Sequence, residues 1–406
     1  MNNNLQPLKG FRDFLPAEAK ARQWLRAQMI TVFEKWGYEP LETPTLEPLE
    51  LFSGQIGEDE KLFYKFKDWG DRDVMLRYDQ TVPTCRVVAQ NLNTLVYPFR
   101  RYQIQSNFRA EKPQKGRFRE FTQADVDIIG VLGPEGDAET IAVSLDLYLS
   151  LGFKNVYIAV NNRRLMAGIP YPAIVAIDKL VKIGTDAVIA EMISKDITPD
   201  QSKEYLDQVN NLQPDETINA IFNYLNNYGF TQENYRFTPT LARSFSYSDG
   251  PIWEVIVPDY PGGSLGGGER YDGLLEKICS QNLGGTGIAF GFDRTLEACQ
   301  QFGLVPGFPP TTKVLITVFS SDLFLKSLSL SQILRSNSIP TELYPDPAAK
   351  LDKQLKYASK KGIPYVAILG PEEIEKNVVT LKNMQSGEQQ VYNIENLWSL
   401  PALKLT

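Results

Sequence analysis

The residues from Phe108 to Gly130, FRAEKPQKGRFREFTQADVDIIG, carry alternating charge through what reads as an antiparallel hairpin. With period two from Arg119, one set of positions is Arg119, Phe121, Gln123, Asp125 and Asp127, and the other is Glu120, Thr122, Ala124, Val126 and Ile128. The second set suits a core. The first is open to two readings, an exposed face with weak cross-strand ion pairs or the wall of a site. Arg109 and Glu111 lead into a basic loop of Lys112, Lys115, Arg117 and Arg119, and arginine's planar fork matches phosphate oxygens two at a time. Two glycine-rich segments accompany the hairpin. Gly262 to Gly268 runs into Glu269, Arg270, Tyr271, Asp272 and Gly273; it lets backbone approach a ligand, yet it lacks the Lys-Ser/Thr ending of a P-loop and also suits a plain turn. GTGIAFGFDR is a small-residue strand ending in Asp293 and Arg294.

No histidine occurs among the 406 residues, which excludes imidazole general bases, histidine-dependent triads and metal sites built on ring nitrogens. Chemistry must rest on Arg, Asp, Glu and backbone. That inventory suits phosphate chemistry by positioning and charge stabilisation, with Mg²⁺ held by oxygen ligands. Cys85, Cys279 and Cys299 form no Cys-x-x-Cys pair, so neither a disulfide framework nor a zinc site is indicated. A net charge of −7 argues against a general nucleic-acid coat. From Thr311 onward, however, Lys and Arg outnumber Asp and Glu by two, and Lys350, Lys353, Lys356 and Lys360 recur at helical spacing beside Lys361. Such a stripe suits a phosphate backbone, and more commonly a solvated helix face.

Positioning these groups takes a sheet with helices behind it, and the composition, 43% hydrophobic and 22% charged over 406 residues, allows two or three domains with a sizeable core. Ala17 to Trp36 places Trp24, Leu25, Met29, Val32, Phe33 and Trp36 at helical spacing and ends at Gly37. The following YEPLETPTLEPLELF holds Pro40, Pro44 and Pro48, too many for a central strand, and reads as an extended edge element able to pair with a partner subunit. Further strands fit Asp73 to Leu76 and Ala289 to Phe292, and a helix fits Glu139 to Leu151. Between Pro170 and Gln232 short amphipathic helices, such as Tyr171 to Ile183 and Thr217 to Tyr228, suggest a helical insertion. After a linker at Pro306 to Pro310, KVLITVF, SLSLSQILRSNSI, PTELYPD, LDKQLKYASKKG and PYVAILG alternate as strands and helices of a small α/β domain. No signal peptide or membrane span is read, so a soluble, cytoplasmic protein is expected.

In their order along the chain these segments resemble the signature motifs of class II aminoacyl-tRNA synthetases, most closely the histidyl-tRNA synthetase family. PLKGFRDFLP resembles the family's opening, GYEPLETPTLEPLELF its motif 1 at the dimer interface, and RYDQTVPTCR the segment that holds the amino acid's ammonium. FRAEKPQKGRFREFTQADVDIIG is similar to motif 2, TPTLARSFSYSDGPIWEV to a histidine-specific segment, GSLGGGERYDGL to a Gly-rich wall, and GTGIAFGFDR to motif 3. KVLITVF to QQVYN resembles the anticodon-binding domain. The chain departs from the family at three places: Ser248 follows Tyr247 where adjacent tyrosines are usual, Glu269 stands where a glycine is usual, and motif 3 has GGTG where a proline is common.

The resemblance implies an α+β class II catalytic core over 1–310, with a mostly antiparallel sheet flanked by helices and a helical insertion at about 170–232, then an anticodon-binding α/β domain over 311–406. It implies ATP-dependent activation of L-histidine as histidyl-adenylate, transfer to tRNA(His), ATP and Mg²⁺ as requirements, and a homodimer. By family role Arg109 and Arg243 would meet the α-phosphate and Arg294 the γ-phosphate. Phe121 would stack on adenine, Glu111 would meet its amine, and Arg117 or Arg119 would reach the outer phosphates or the acceptor end. Asp79, Thr81 and Gln123 would take the substrate ammonium and Asp127 the imidazole, with Tyr247 and Tyr271 completing the histidine pocket. The alternative is a catalytically inactive histidine-sensing paralogue, such as the regulatory subunit of ATP phosphoribosyltransferase.

Overall fold

A computed structural model of the chain describes residues 5–113, 117–243 and 247–403. Lys115 of the expected basic loop, and 244–246 within the ARSFSYS segment, lie outside the described residues. The chain divides into two compact units, Met1–Pro306 and Gly307–Thr406. No helix among the described residues is long and apolar enough to cross a membrane.

The strands of the first unit are β1 Glu39–Pro40, β2 Leu46–Pro48, β3 Lys65–Lys67, β4 Asp73–Leu76, β5 Phe99–Phe108, β6 Glu120–Ile129, β7 Tyr157–Asn162, β8 Tyr235–Phe237, β9 Pro251–Ile256, β10 Gly266–Arg270 and β11 Gly285–Gly291. Eight of them form one sheet in the order β1-β5-β6-β11-β10-β9-β7-β8. It is antiparallel except at its two ends, where β1 pairs with β5 and β8 with β7 in parallel. The proline-rich element supplies the outermost strand, as its missing N–H groups require. β2, β4 and β3 form a separate small sheet. The strand expected at Ala289 to Phe292 starts earlier, at Gly285, and gives way at Phe292 to the helix Phe292–Gln301; its run of small residues conceals strand periodicity until neighbours pack on it.

The alternation read in the hairpin has a direct physical outcome. Ala124, Val126 and Ile128 are fully buried on the side of the sheet covered by helices. There Phe290 of β11 stacks on Phe33 from the helix Pro16–Lys35, at 5.7 Å, and meets Tyr148 from the helix Pro134–Ser150. Asp125 and Asp127 on the opposite face are buried too, so the exposed-face reading does not hold. The expected helix Tyr171 to Ile183 is broken into Tyr171–Ile177 and Leu180–Ile183, followed by helices Thr185–Ile193, Pro199–Asn210 and Glu216–Asn227.

In the second unit β12 Val314–Ile316, β13 Thr341–Leu343, β14 Tyr365–Ile368, β15 Val378–Asn383 and β16 Gln389–Asn393 form a sheet ordered β13-β12-β14-β15-β16. Its first three strands are parallel, linked by the helices Phe324–Ser336 and Leu351–Lys361, and its last two form an antiparallel hairpin. The lysine stripe lies on Leu351–Lys361, where Lys353 pairs with Asp346, Lys356 with Asp352 and Lys361 with Glu342. It is a solvated, largely compensated face.

Candidate active site

Residues opposite one another on neighbouring strands point to the same face, and register therefore dictates the floor of the site. One row runs Glu254–Gly267–Ala289–Asp125–Gln103 across β9, β10, β11, β6 and β5, and the next runs Ile252–Glu269–Gly287–Asp127–Arg101. The middle of each row is small and its flanks are charged. A Cβ on Gly287 would lie 2.1 Å from Asp127 Oδ1 and 2.7 Å from the Val126 carbonyl, so that position requires glycine, whereas one on Gly267 would lie 1.6 Å from Arg243 Nη1, the movable end of a long side chain. Above this floor opens a cavity of about 810 Å³.

Every expected site residue but one lines that cavity: Asp79, Thr81, Arg109, Glu111, Arg117, Phe121, Gln123, Asp127, Arg243, Tyr247, Tyr271 and Arg294. Arg119 does not. Its Nε donates to the Glu111 carbonyl at 3.0 Å and its backbone N–H to the Gly10 carbonyl at 2.9 Å, so it fastens the loop to the N-terminal segment instead. A period-two pattern cannot reveal this, because Arg119 precedes the first residue of β6.

Asp79 sits just before the helix Thr81–Gln90, where its Oδ1 accepts the Val82 N–H at 3.2 Å. Its Oδ2 has no hydrogen-bond partner among the described residues, and burial pushes the carboxyl up to about 6. A buried carboxylate with an unsatisfied oxygen is built for a cation that arrives with a ligand. Two neighbours fix it. Arg77, 1% exposed, donates to the carbonyls of Thr43, Pro44 and Ser106 and to the side chains of Gln105 and Asn107. Gln80 Nε2 donates to the carbonyls of Gln105 and Gln123, both at 3.2 Å. The Gln123 side-chain oxygen accepts from Asn107, which leaves further lone-pair capacity on it.

The cations are held by different means. The Arg109 guanidinium lies 4.2 Å from the Tyr78 ring centre and 5.1 Å from that of Phe121; burial opposes its charge, but Tyr78, Glu111 and Asp79 outweigh that and strengthen its hold on the proton. Arg243, at φ 45, rests on Gly267, with Glu269 Oε1 at 3.4 Å and Glu254 Oε1 at 3.9 Å. Arg294 donates to the Ser264 carbonyl at 3.2 Å, and burial and the neighbouring Arg117 cation weaken its hold on its proton. Such a cation gains most from an incoming anion. Arg117 and Glu111 pair with each other at 3.4 Å at the cavity edge.

Asp127 is deeply tied in. Its Oδ2 meets Arg101 Nη2 at 2.6 Å, and its Oδ1 accepts the Tyr271 hydroxyl at 2.5 Å. Burial raises its carboxyl, against the pull of Arg101 and Tyr271. Arg101, the cross-strand partner of Asp127 and fully buried, was not among the expected residues. The alternation Arg101, Gln103, Gln105, Asn107 along β5 is the signal that marks it. Two of the departures from the family pattern touch: the Ser248 hydroxyl donates to Glu269 Oε2. Asp293, beside Arg294, binds Arg12 at 2.9 Å and Arg22 at 2.5 Å and accepts the Thr122 N–H at 2.8 Å, pinning the N-terminal segment to β6. Among the described residues no group of three or more Asp, Glu or Cys side chains is placed to hold a metal ion.

Comparison with known proteins agrees with this geometry. Residues 10–198 match the family model for histidyl-tRNA synthetase, and residues 313–400 match that for an anticodon binding domain. The histidine–tRNA ligase of Cytophaga hutchinsonii is 34% identical over 94% of this chain and 96% of its own length; that of Wolinella succinogenes is 35% identical over 94% of each. The structure superposes on histidyl-tRNA synthetase from Nostoc sp. PCC 7120 with a TM-score of 0.78 at 26% identity, covering 98% of both chains. A Bacillus halodurans protein described as an ATP phosphoribosyltransferase regulatory subunit/histidyl-tRNA synthetase reaches 0.68 at 23% identity, a likeness of fold. Fold and site are those of an aminoacyl-tRNA synthetase. The chain belongs to the histidyl-tRNA synthetase family.

Proposed function

We propose that this chain activates L-histidine with ATP to histidyl-adenylate, releasing pyrophosphate, and transfers the histidyl group to the 3′ end of tRNA(His). The observation that carries the reading is the convergence of Arg109, Arg243 and Arg294 on one cavity that also holds the half-satisfied Asp79 and the paired Asp127. In-line attack of the histidine carboxylate on the α-phosphorus builds negative charge on non-bridging oxygens, and fixed cations stabilise it. Arg109 and Arg243 take the α-phosphate and Arg294 the γ-phosphate; Phe121 stacks on adenine, Glu111 meets its amine and Arg117 serves the outer phosphates. Asp79, with Thr81 and Gln123, takes the ammonium, and Asp127 accepts a ring N–H. Mg²⁺ arriving with ATP would supply further neutralisation of the phosphate charge.

The catalytic domain over 1–310, the anticodon-binding domain over 311–406, a homodimer formed through the proline-rich edge and a cytoplasmic location belong to the same proposal. The outermost position of β1 supports the dimer. Retention of all three arginines and a full C-terminal match count against the inactive histidine-sensing paralogue. ATP–pyrophosphate exchange with each of the twenty amino acids is the test: histidine alone should support it, and exchange with another amino acid, or with none, overturns the proposal.

A further inference from the structure

We infer that Glu269 is a specificity-determining residue which, with Asp127, takes the substrate side chain as an imidazolium, one carboxylate on each ring nitrogen. The inference rests on the histidine-activating reading above and goes beyond it, since one ring acceptor suffices for that reading.

Glu269 is 7% exposed, lines the cavity, and lies in the same cross-sheet row as Asp127 with only Gly287 between them. Two strand spacings put their backbones roughly 10 Å apart. The intervening glycine contributes no side chain, and Asp127 Oδ1 leans over it, 2.1 Å from where a Cβ would stand, so that carboxylate faces the strand of Glu269 along the row. The ring would sit in the cavity that both carboxylates line, with an N–H···O bond of about 2.8 Å to each.

The donor and acceptor inventory decides the ring's protonation. A neutral imidazole offers one N–H and one bare nitrogen, whereas the imidazolium offers two N–H groups. An ionised carboxylate only accepts. Each of the two has an arginine at its back, Arg101 for Asp127 and Arg243 for Glu269. The hydroxyl protons nearest them are committed, that of Tyr271 to Asp127 and that of Ser248 to Glu269. The other charged or titratable groups facing Glu269 are Asp79, Tyr247 and Arg163. A ring with a bare nitrogen would set that lone pair against a carboxylate. A doubly protonated ring satisfies both.

The absence of histidine from the chain makes the test direct, because every imidazole resonance in a complex then comes from the substrate. Histidine labelled with ¹⁵N in the ring is bound to the full-length protein and the two ring nitrogens are followed by NMR as pH rises. Free histidine loses its ring proton near pH 6.5. In the complex both nitrogens should remain protonated at pH 7.5, with the ring titrating at least about one pH unit above the free value. In Glu269→Gln, whose amide can donate to a bare nitrogen, the ring should titrate at or below the free value. A bound ring that is neutral at pH 7.5 in the unaltered protein overturns the inference and leaves histidine activation standing; failure of histidine to bind at any pH overturns both. The unaltered protein alone decides the matter should the variant not fold.

Discussion

Two segments of this chain present the same kind of sequence signal, charge repeated at the period of its element, and meet opposite fates. Along β6 the carboxylates of Asp125 and Asp127 are buried, and along the helix Leu351–Lys361 the lysines stand in solvent beside Asp346, Asp352 and Glu342. Desolvation separates them. On the helix a charge costs almost nothing and its pairings stabilise almost nothing. Inside the protein each charge must be matched by a fixed partner or by a ligand, and the unsatisfied oxygens of Asp125 on β6 and of Asp79 just before the helix Thr81–Gln90 mark the site.

The contrast can be broken most sharply at Arg101. Arg101→Met should destabilise the protein by about 3–5 kcal/mol, because it leaves Asp127 buried without its partner. Chemical denaturation measures this, and a loss under about 1 kcal/mol would place the pair with surface ion pairs. Arg243→Ala should lower the rate of histidine-dependent pyrophosphate exchange by roughly 10² to 10³ while leaving histidine affinity nearly intact, as for removal of one preorganised charge donor; steady-state kinetics beside equilibrium binding separates the two.

Asp79 gives a pH signature in two opposite directions. Its carboxyl ionises near 6 in the free site, against about 3.9 in an unfolded chain. Histidine affinity should therefore fall as pH drops below 6, by up to about tenfold per unit, because a proton competes with the ammonium. The ligand-free fold should gain stability from the same residue as pH falls from 6 toward 4, since its raised ionisation opposes folding above that range. Calorimetric titration of histidine and thermal melts across that range read both. Asp79→Asn should remove the affinity dependence and reduce the stability gain, the rest of which belongs to other buried carboxyls such as Asp137, also raised to about 6. The smallest effect is expected on the helix: Lys356→Ala should leave the melting temperature and the exchange rate unchanged within error, and a clear drop in exchange alone would give that face a part in activation.

What was legible in the sequence follows the same division. Period two along β6 separated the core set from the site set, because alternation is local to one strand. The proline-rich stretch announced a sheet edge, because a missing N–H acts wherever the chain goes. The roles of Arg101, Arg77 and Asp293 were not legible, since each depends on a partner remote in sequence: Asp127 across a strand register, Thr43 and Pro44 on another element, and Arg12 and Arg22 near the N-terminus. Arg119 was named for the site by resemblance, and its bonds to the Gly10 and Glu111 carbonyls, which tie the loop to the N-terminal segment, were not legible. Ser248 and Glu269 stood out as separate oddities, and only the fold makes them one contact.

Gly287 carries a consequence for how this site can change. Its missing side chain is the clearance into which Asp127 Oδ1 leans while Oδ2 meets Arg101 on the other side. Room above the row and the seating of Asp127 are thus one decision, taken at an uncharged position. A single methyl group there would narrow that room and unseat Asp127 together, so routes to a new side-chain preference run through the two carboxylates on either side and not through the middle of the row.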